Sequence, residues 1–268
     1  MSAVPEPAPE HAGIALAPLL AVEALRVQYG GVVAVDDLSF EVAPGSIVGL
    51  IGPNGAGKTT VIDALTGYVR PTRGRVRFAG QDVTGRRAHQ LSRAGLTRTF
   101  QSVELFDDLT VAENLMVASE HPGVLTALAQ LVLPSRAPGR EAMQWALDVT
   151  ELTGVSDRYP GELSHGQRKL VGVARSLACR PTLLLLDEPA AGLDTDETAV
   201  LAKRLRGMPD HGVTILLIDH DMGLVLDVCD VVMVVDFGRL VASGTPREVR
   251  GTPAVVEAYL GARSGGGG

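Results

Sequence analysis

Residues 52–60 read GPNGAGKTT, with glycine at 52, 55 and 57 and a lysine followed by two threonines. That spacing suits the holding of a phosphate chain. The glycines let the backbone of Gly52, Pro53, Asn54, Gly55, Ala56 and Gly57 curl until its N–H groups converge on anionic oxygens. A helix expected from Lys58 turns its positive end on the same oxygens. Lys58 adds a point charge for the β- and γ-phosphates, Thr59 offers a hydroxyl to Mg2+, and Thr60 completes the motif. The only lysines in the chain are Lys58, Lys169 and Lys203, so a lysine in this slot is informative.

A second apolar run, TLLLLDEP, ends in Asp187 and Glu188. Ligands of parallel α/β sheets bind beyond the carboxyl ends of the strands, which puts both acids near the phosphates. Asp187 suits Mg2+, directly or through water, and Glu188 suits a water attacking the γ-phosphate, as its orienter or base. LSHGQRK, residues 163–169, raises a different question. Ser164 is a good N-cap for the helix that follows. Its hydroxyl, the bare N–H of Gly166 and a helix N-terminus also make a second anion site. The chain's own nucleotide already has its phosphate loop.

In this order the motifs resemble the nucleotide-binding subunit of ATP-binding cassette (ABC) transporters, whose signature reads L-S-G-G-Q. The resemblance runs from about Val22 to Gly261. It implies that Ser164, Gly166 and Gln167 close over the ATP of a second subunit in a head-to-tail dimer, with Asp194 of AGLD crossing the same interface. It further implies that Tyr29 stacks on adenine and that His220 of LLIDHDM contacts the γ-phosphate. Gln101 of RTFQ would sense Mg2+ and γ-phosphate beside the membrane-domain contact, making Thr59, Gln101 and Asp187 the Mg2+ set. His165 replaces the commonest signature glycine at a variable position. Asp219 stands where glutamate is commoner, and is expected to lie outside the chemistry.

RTFQSVELFDDLTVAENLMVA, DHDMGLVLDVCD and VVEAYLG are similar to importers of branched-chain and other hydrophobic amino acids. Urea and short-amide importers and the lipopolysaccharide-export ATPase share much of the pattern. The resemblance implies transmembrane permease subunits, a second ATP-binding subunit (copy or paralogue) and, indirectly, an extracytoplasmic solute-binding protein. Its implied place is peripheral, on the cytoplasmic face of the cell membrane. A different class, ABC-type ATPases acting on DNA or the ribosome, fits less well. DNA-repair members part the two motifs by very long coiled coils, and no sustained heptads lie between Lys58 and Ser164. Ribosome-associated members usually carry two cassettes, and this chain has one phosphate loop. A simple P-loop kinase or GTPase leaves LSHGQ unexplained.

The elements that must position these residues follow from the pattern. The 268 residues suffice for one large domain, and a formal charge of −7 argues against a general nucleic-acid partner. Cys179 and Cys229, the only cysteines, have no metal-ligand spacing and are expected as packed, reduced thiols. Residues 1–20, Pro- and Ala-rich with Glu6 and Glu10, read as a disordered tail rather than a signal peptide. No window approaches the roughly 18–20 apolar residues of a membrane span. VEALRVQYG and AVDDLSFEV predict strands joined at a Gly-Gly turn. SIVGLIG, RVRFAG, TLLLLDEP, VTILLID and VVMVVDFGRLVASG predict further strands. Helices are expected near Lys58, Arg86–Arg93, Thr195 and Met222, and from Val111 to about Leu152 around a loop, LPSRAPGR.

The fold class is α/β: a P-loop NTPase (RecA-like) core with a small antiparallel β part and an inserted α-helical subdomain. The ATPase domain is placed at 21–262, its helical subdomain at about 103–180, and a flexible tail at 263–268. Leu105 and Phe106 are expected either in a groove receiving a cytoplasmic helix or in the seam between subdomains.

Overall fold

A computed structural model describes residues 17–99, 104–119 and 138–252. Gln101, residues 120–137 and most of both tails lie outside the described residues. Strands β1 (Leu20–Tyr29) and β2 (Val32–Val42) form a hairpin around Gly30 and Gly31. With β4 (Arg73–Phe78) and β5 (Gln81–Asp82) they build an antiparallel sheet in the order β2-β1-β4-β5. The second sheet contains β3 (Ile47–Ile51), β6 (Leu96–Arg98), β7 (Leu183–Asp187), β8 (Thr214–Ile218), β9 (Val231–Asp236) and β10 (Arg239–Gly244). Its order is β10-β9-β3-β8-β7-β6, parallel except for β10.

Every residue of β3, β7 and β8 is buried, as uninterrupted apolar strands inside a parallel sheet must be. Alternation along these strands divides the core. Ile47, Leu184, Leu186, Ile215 and Leu217 face one cluster, built with α3 (Val111–Ser119), α4 (Pro138–Thr150), α5 (His165–Leu177), α6 (Thr195–Gly207) and α7 (Met222–Val228). Val48, Leu50, Leu183, Leu185 and Leu216 face the other, built with α1 (Lys58–Leu65), α2 (Ala88–Arg93) and the antiparallel sheet. A short α8 (Pro246–Arg250) ends the described chain. Helices α3, α4 and α5 pack on one another.

Three local features differ from the sequence pattern. Strand β6 was not expected; at three residues it is too short for periodicity and exists because it pairs with β7. VVMVVDFGRLVASG is two antiparallel strands, turned at Phe237 and Gly238, both with positive φ (44° and 75°). Pro138, Gly139 and Arg140, placed in the loop LPSRAPGR, begin α4 instead, since proline in a first helical turn lacks only an N–H that has no helical partner there.

The Phe237–Gly238 turn leans on β2, with the Asp36 N–H donating to the Gly238 carbonyl at 2.9 Å. Asp36 also accepts from Arg26 of β1 and from Arg239 of β10, at 2.5 Å for the latter. The Arg239 hydrogen bond holds its carboxyl below the usual range. This crosslink ties the antiparallel sheet to the edge of the parallel one.

Candidate nucleotide site

The phosphate loop joins β3 to α1. Gly52 has φ 157°, and a Cβ there would stand 2.0 Å from the Val235 carbonyl oxygen. Gly57, the residue before α1, has φ 98°, and its Cβ would stand 2.4 Å from the Ala34 carbonyl oxygen. Side chains at either position would push the loop off β9 and the hairpin. Helices α5, α6, α7 and α8 are capped by Ser164, Asp194, Asp221 and Thr245. Helix α1 has no side-chain cap, so its first N–H groups face outward from a bare glycine. That is the arrangement an external anion completes.

Lys58 lies along the loop, its Nζ donating to the carbonyls of Gly52 at 2.7 Å and Pro53 at 2.9 Å. Burial pushes its ammonium below the ordinary lysine range, while Glu188 and Asp187 pull it back up. The lysine and both acids thus share one electrostatic neighbourhood, although the lysine opens α1 and the acids lie at the end of β7. Asp187, the last residue of β7, is almost fully buried. Its Oδ2 accepts from Arg98 at 2.7 Å, and the other arm of the same guanidinium holds Asp63 of α1 at 2.5 Å.

Glu188 follows with φ 48°, a left-handed conformation that costs a non-glycine residue on the order of 1–3 kcal/mol. Its N–H donates to the Ile218 carbonyl at 2.7 Å, which holds the strained turn against β8. His220, just beyond β8, brings its Nδ1 to 3.9 Å from Glu188 Oε2. Asp219, expected outside the chemistry, lies between these two loops. It is buried, accepting from Ala190 N at 3.0 Å and from Asp221 N at 2.9 Å.

Of the residues expected to hold a metal, the two described ones, Thr59 and Asp187, offer hard oxygens, a hydroxyl and a carboxylate. Among the described residues no group of three or more His, Cys, Asp or Glu could hold a metal alone. Hard oxygens of that kind suit Mg2+, which usually takes one or two protein oxygens and completes its shell with phosphate and water.

Tyr29, at the end of β1, is half exposed rather than a core residue, on the hairpin whose Ala34 abuts the phosphate loop. The signature residues are accounted for within the chain. Ser164 Oγ accepts from Gln167 N at 3.2 Å, and Gln167 Oε1 accepts from Ser164 N at 3.0 Å, a reciprocal cap. Gly166 N donates to Glu197 Oε1 at 2.7 Å, and a Cβ on Gly166 would meet that carboxyl group at 3.0 Å. Asp194 caps α6, the helix that carries Glu197. The signature and the Asp194 loop are therefore neighbours, and the hydrogen bonds just described tie Ser164, Gly166 and Gln167 to one another and to Glu197.

Arg98 and Glu197 escaped sequence reasoning. RTFQ exhibits Arg98 but not its two distant carboxylates, and Glu197 reads as an ordinary acid in the first turn of a helix. Leu105 packs against the core, whereas Phe106 is 48% exposed beneath Arg175, whose guanidinium lies 5.7 Å from the ring centre.

Residues 35–191 match the family model "ABC transporter", and residues 239–264 match "Branched-chain amino acid ATP-binding cassette transporter". The chain is 42% identical over 252 residues to the high-affinity branched-chain amino acid transport ATP-binding protein BraF of Pseudomonas aeruginosa, covering 91% of this chain and 98% of BraF. It is 42% identical over 251 residues to the high-affinity branched-chain amino acid transport ATP-binding protein LivG of Escherichia coli, covering 91% of this chain and 98% of LivG. Among solved structures, an ATP-binding cassette of an ABC transporter in its ADP conformation superposes with a TM-score of 0.80 at 32% identity, covering 91% of this chain and 99% of that one. On sequence and fold together, the chain belongs to the ABC transporter family, as one of the ATP-binding cassettes that hydrolyse ATP to power transport.

Proposed function

We propose that the chain is the ATP-hydrolysing subunit of an importer for branched-chain or other hydrophobic amino acids. The observation that carries this is the near-complete match, at 42% identity, to two ATP-binding proteins of branched-chain amino acid transport, with a matching C-terminal segment. Among the described residues no helix is long and apolar enough to cross a membrane. The solute path therefore belongs to transmembrane permease subunits, beneath which this chain sits at the cytoplasmic face. An extracytoplasmic binding protein would deliver the solute to them.

In this reading Tyr29 stacks on adenine, and the amides of residues 52–60 with Lys58 hold the phosphates. Thr59 and Asp187, with Gln101, would hold Mg2+, which when bound offsets phosphate charge and orients the triphosphate. Glu188 holds the attacking water and draws on its proton, a role suited to a part-buried carboxylate at a rigid strand end. His220 steadies the γ-phosphate from the adjacent loop. Ser164, Gly166, Gln167 and Asp194, oriented by their own caps, meet the ATP of a second ATP-binding subunit. Closure of that dimer is the movement passed to the permeases.

The test is uptake of labelled leucine by cells lacking the gene, with and without a plasmid copy. Loss and recovery of leucine uptake is expected. Intact leucine uptake alongside lost urea uptake would move the chain to the amide importers.

A further inference from the structure

We infer that Asp219 is a positioning residue, which holds the turn bearing Glu188 and the loop bearing His220 in one fixed relation. The inference rests on the roles proposed for those two residues. Its observation is a carboxylate whose two oxygens are divided between two loops. Oδ2 accepts from the N–H of Ala190, two residues beyond Glu188, at 3.0 Å. Oδ1 accepts from the N–H of Asp221, the residue after His220, at 2.9 Å, and lies 3.7 Å from His220 Nδ1.

The Asp219 side chain is fully buried. A buried carboxylate is retained only where its hydrogen bonds repay its lost hydration. Here the donors are backbone amides, which point where the loops point. Glu188 is left-handed, so its direction is set by what pins the chain on either side. The Ile218 carbonyl pins the amide of Glu188 itself, at 2.7 Å. Asp219 pins the chain two residues later and, through Asp221, the exit from His220. Without the carboxylate, the Glu188–Ala190 turn keeps one of these two anchors, and the imidazole keeps only its 3.9 Å approach to the Glu188 carboxylate.

An asparagine of the same volume can accept at one amide only and turns an NH2 toward the other. Misplacement of a reacting group by about 1 Å costs up to ~100-fold in rate. Asp219→Asn is therefore expected to lower kcat by about tenfold or more, with KM for ATP within about twofold of the parent. A purely structural role would act independently of the chemistry, so a mutant cycle with Glu188→Gln and His220→Ala together separates the two. Measured by single-turnover hydrolysis, Asp219→Asn should add less than about twofold to the loss already caused by Glu188→Gln combined with His220→Ala.

A parent-like kcat in Asp219→Asn would overturn the inference, and so would a full additional tenfold loss in the background that lacks both Glu188 and His220. If Asp219→Asn does not fold, Asp219→Ser, whose hydroxyl accepts from one amide, goes through the same cycle under the same criteria. Normal turnover in Glu188→Gln alone would instead remove the assigned role of Glu188, a separate failure read from the same data.

Discussion

Arg98→Met removes a guanidinium shared by Asp63 and Asp187 while keeping an unbranched chain in its place. The side chains of Arg98 and Asp187 are each 9% exposed, and that of Asp63 is 27% exposed. At separations of 2.5 and 2.7 Å, the attractions are about 6–7 kcal/mol each for an effective dielectric of about 20, before desolvation is charged against them. Measured costs of stranding a buried charge are smaller, about 3–5 kcal/mol, because water and neighbouring groups relax. For a chain of this size that corresponds to a fall in Tm of roughly 10 °C. Thermal unfolding followed by circular dichroism reads it directly. A second arm uses Mg2+ with ATP. Asp187 then gains another counter-charge, so the ligand should raise the Tm of Arg98→Met by more than it raises that of the parent. A fall below about 2 °C would refute the reasoning, since the pair would then behave as a solvated surface contact. An equal ligand-induced rise in both proteins would refute the link between Asp187 and the metal.

Glu188→Gln should retain nucleotide binding, measured by calorimetry, while hydrolysis falls by roughly two or more orders of magnitude and ATP-bound dimers accumulate on size exclusion. Ser164→Asp keeps the reciprocal cap, so its Tm should stay within about 2 °C of the parent, yet its added charge facing a partner's γ-phosphate should abolish turnover; retained activity would leave Ser164 as a cap alone. Phe106→Glu exchanges an exposed ring for a carboxylate beside Arg175, so the fold and ATP binding should survive while co-purification with the permeases and leucine uptake are lost. Burial, reinforced by Asp230, pushes the Cys229 thiol from 9.0 up to about 12. The folded state thus favours the neutral thiol, and this stabilisation is whole below about pH 9 and is lost as pH rises toward 12, at about 1.4 kcal/mol per unit. Urea unfolding of the parent and of Cys229→Ala at about pH 8 and about pH 10.5 should show the parent losing more stability over that interval.

What the sequence by itself determined is what local chemistry enforces. GPNGAGKTT specifies its own loop, because the glycines, the missing helix cap and the lysine act within nine consecutive residues. Ser164 announces its helix for the same reason: a cap reaches only three residues. Short apolar runs bounded by glycine or by polar turn residues mark β3, β7 and β8 as buried strands, since they are too short for a buried helix. The tertiary structure decided whatever depends on partners far along the chain. Leu96–Arg98 is a strand only because β7 offers it a ladder. Pro138 opens α4, although proline in a sequence also reads as a loop. Arg98 is one basic residue among many until Asp63 and Asp187 converge on it, and Glu197 is an ordinary helical acid until Gly166 lets it approach. Asp219 could be assigned no task from its neighbours in sequence, since its carboxylate spans two loops that meet only because β7 and β8 lie side by side. A hydrogen bond between residues 29 apart leaves no periodic trace in composition; it exists once the sheet has brought them within 3 Å.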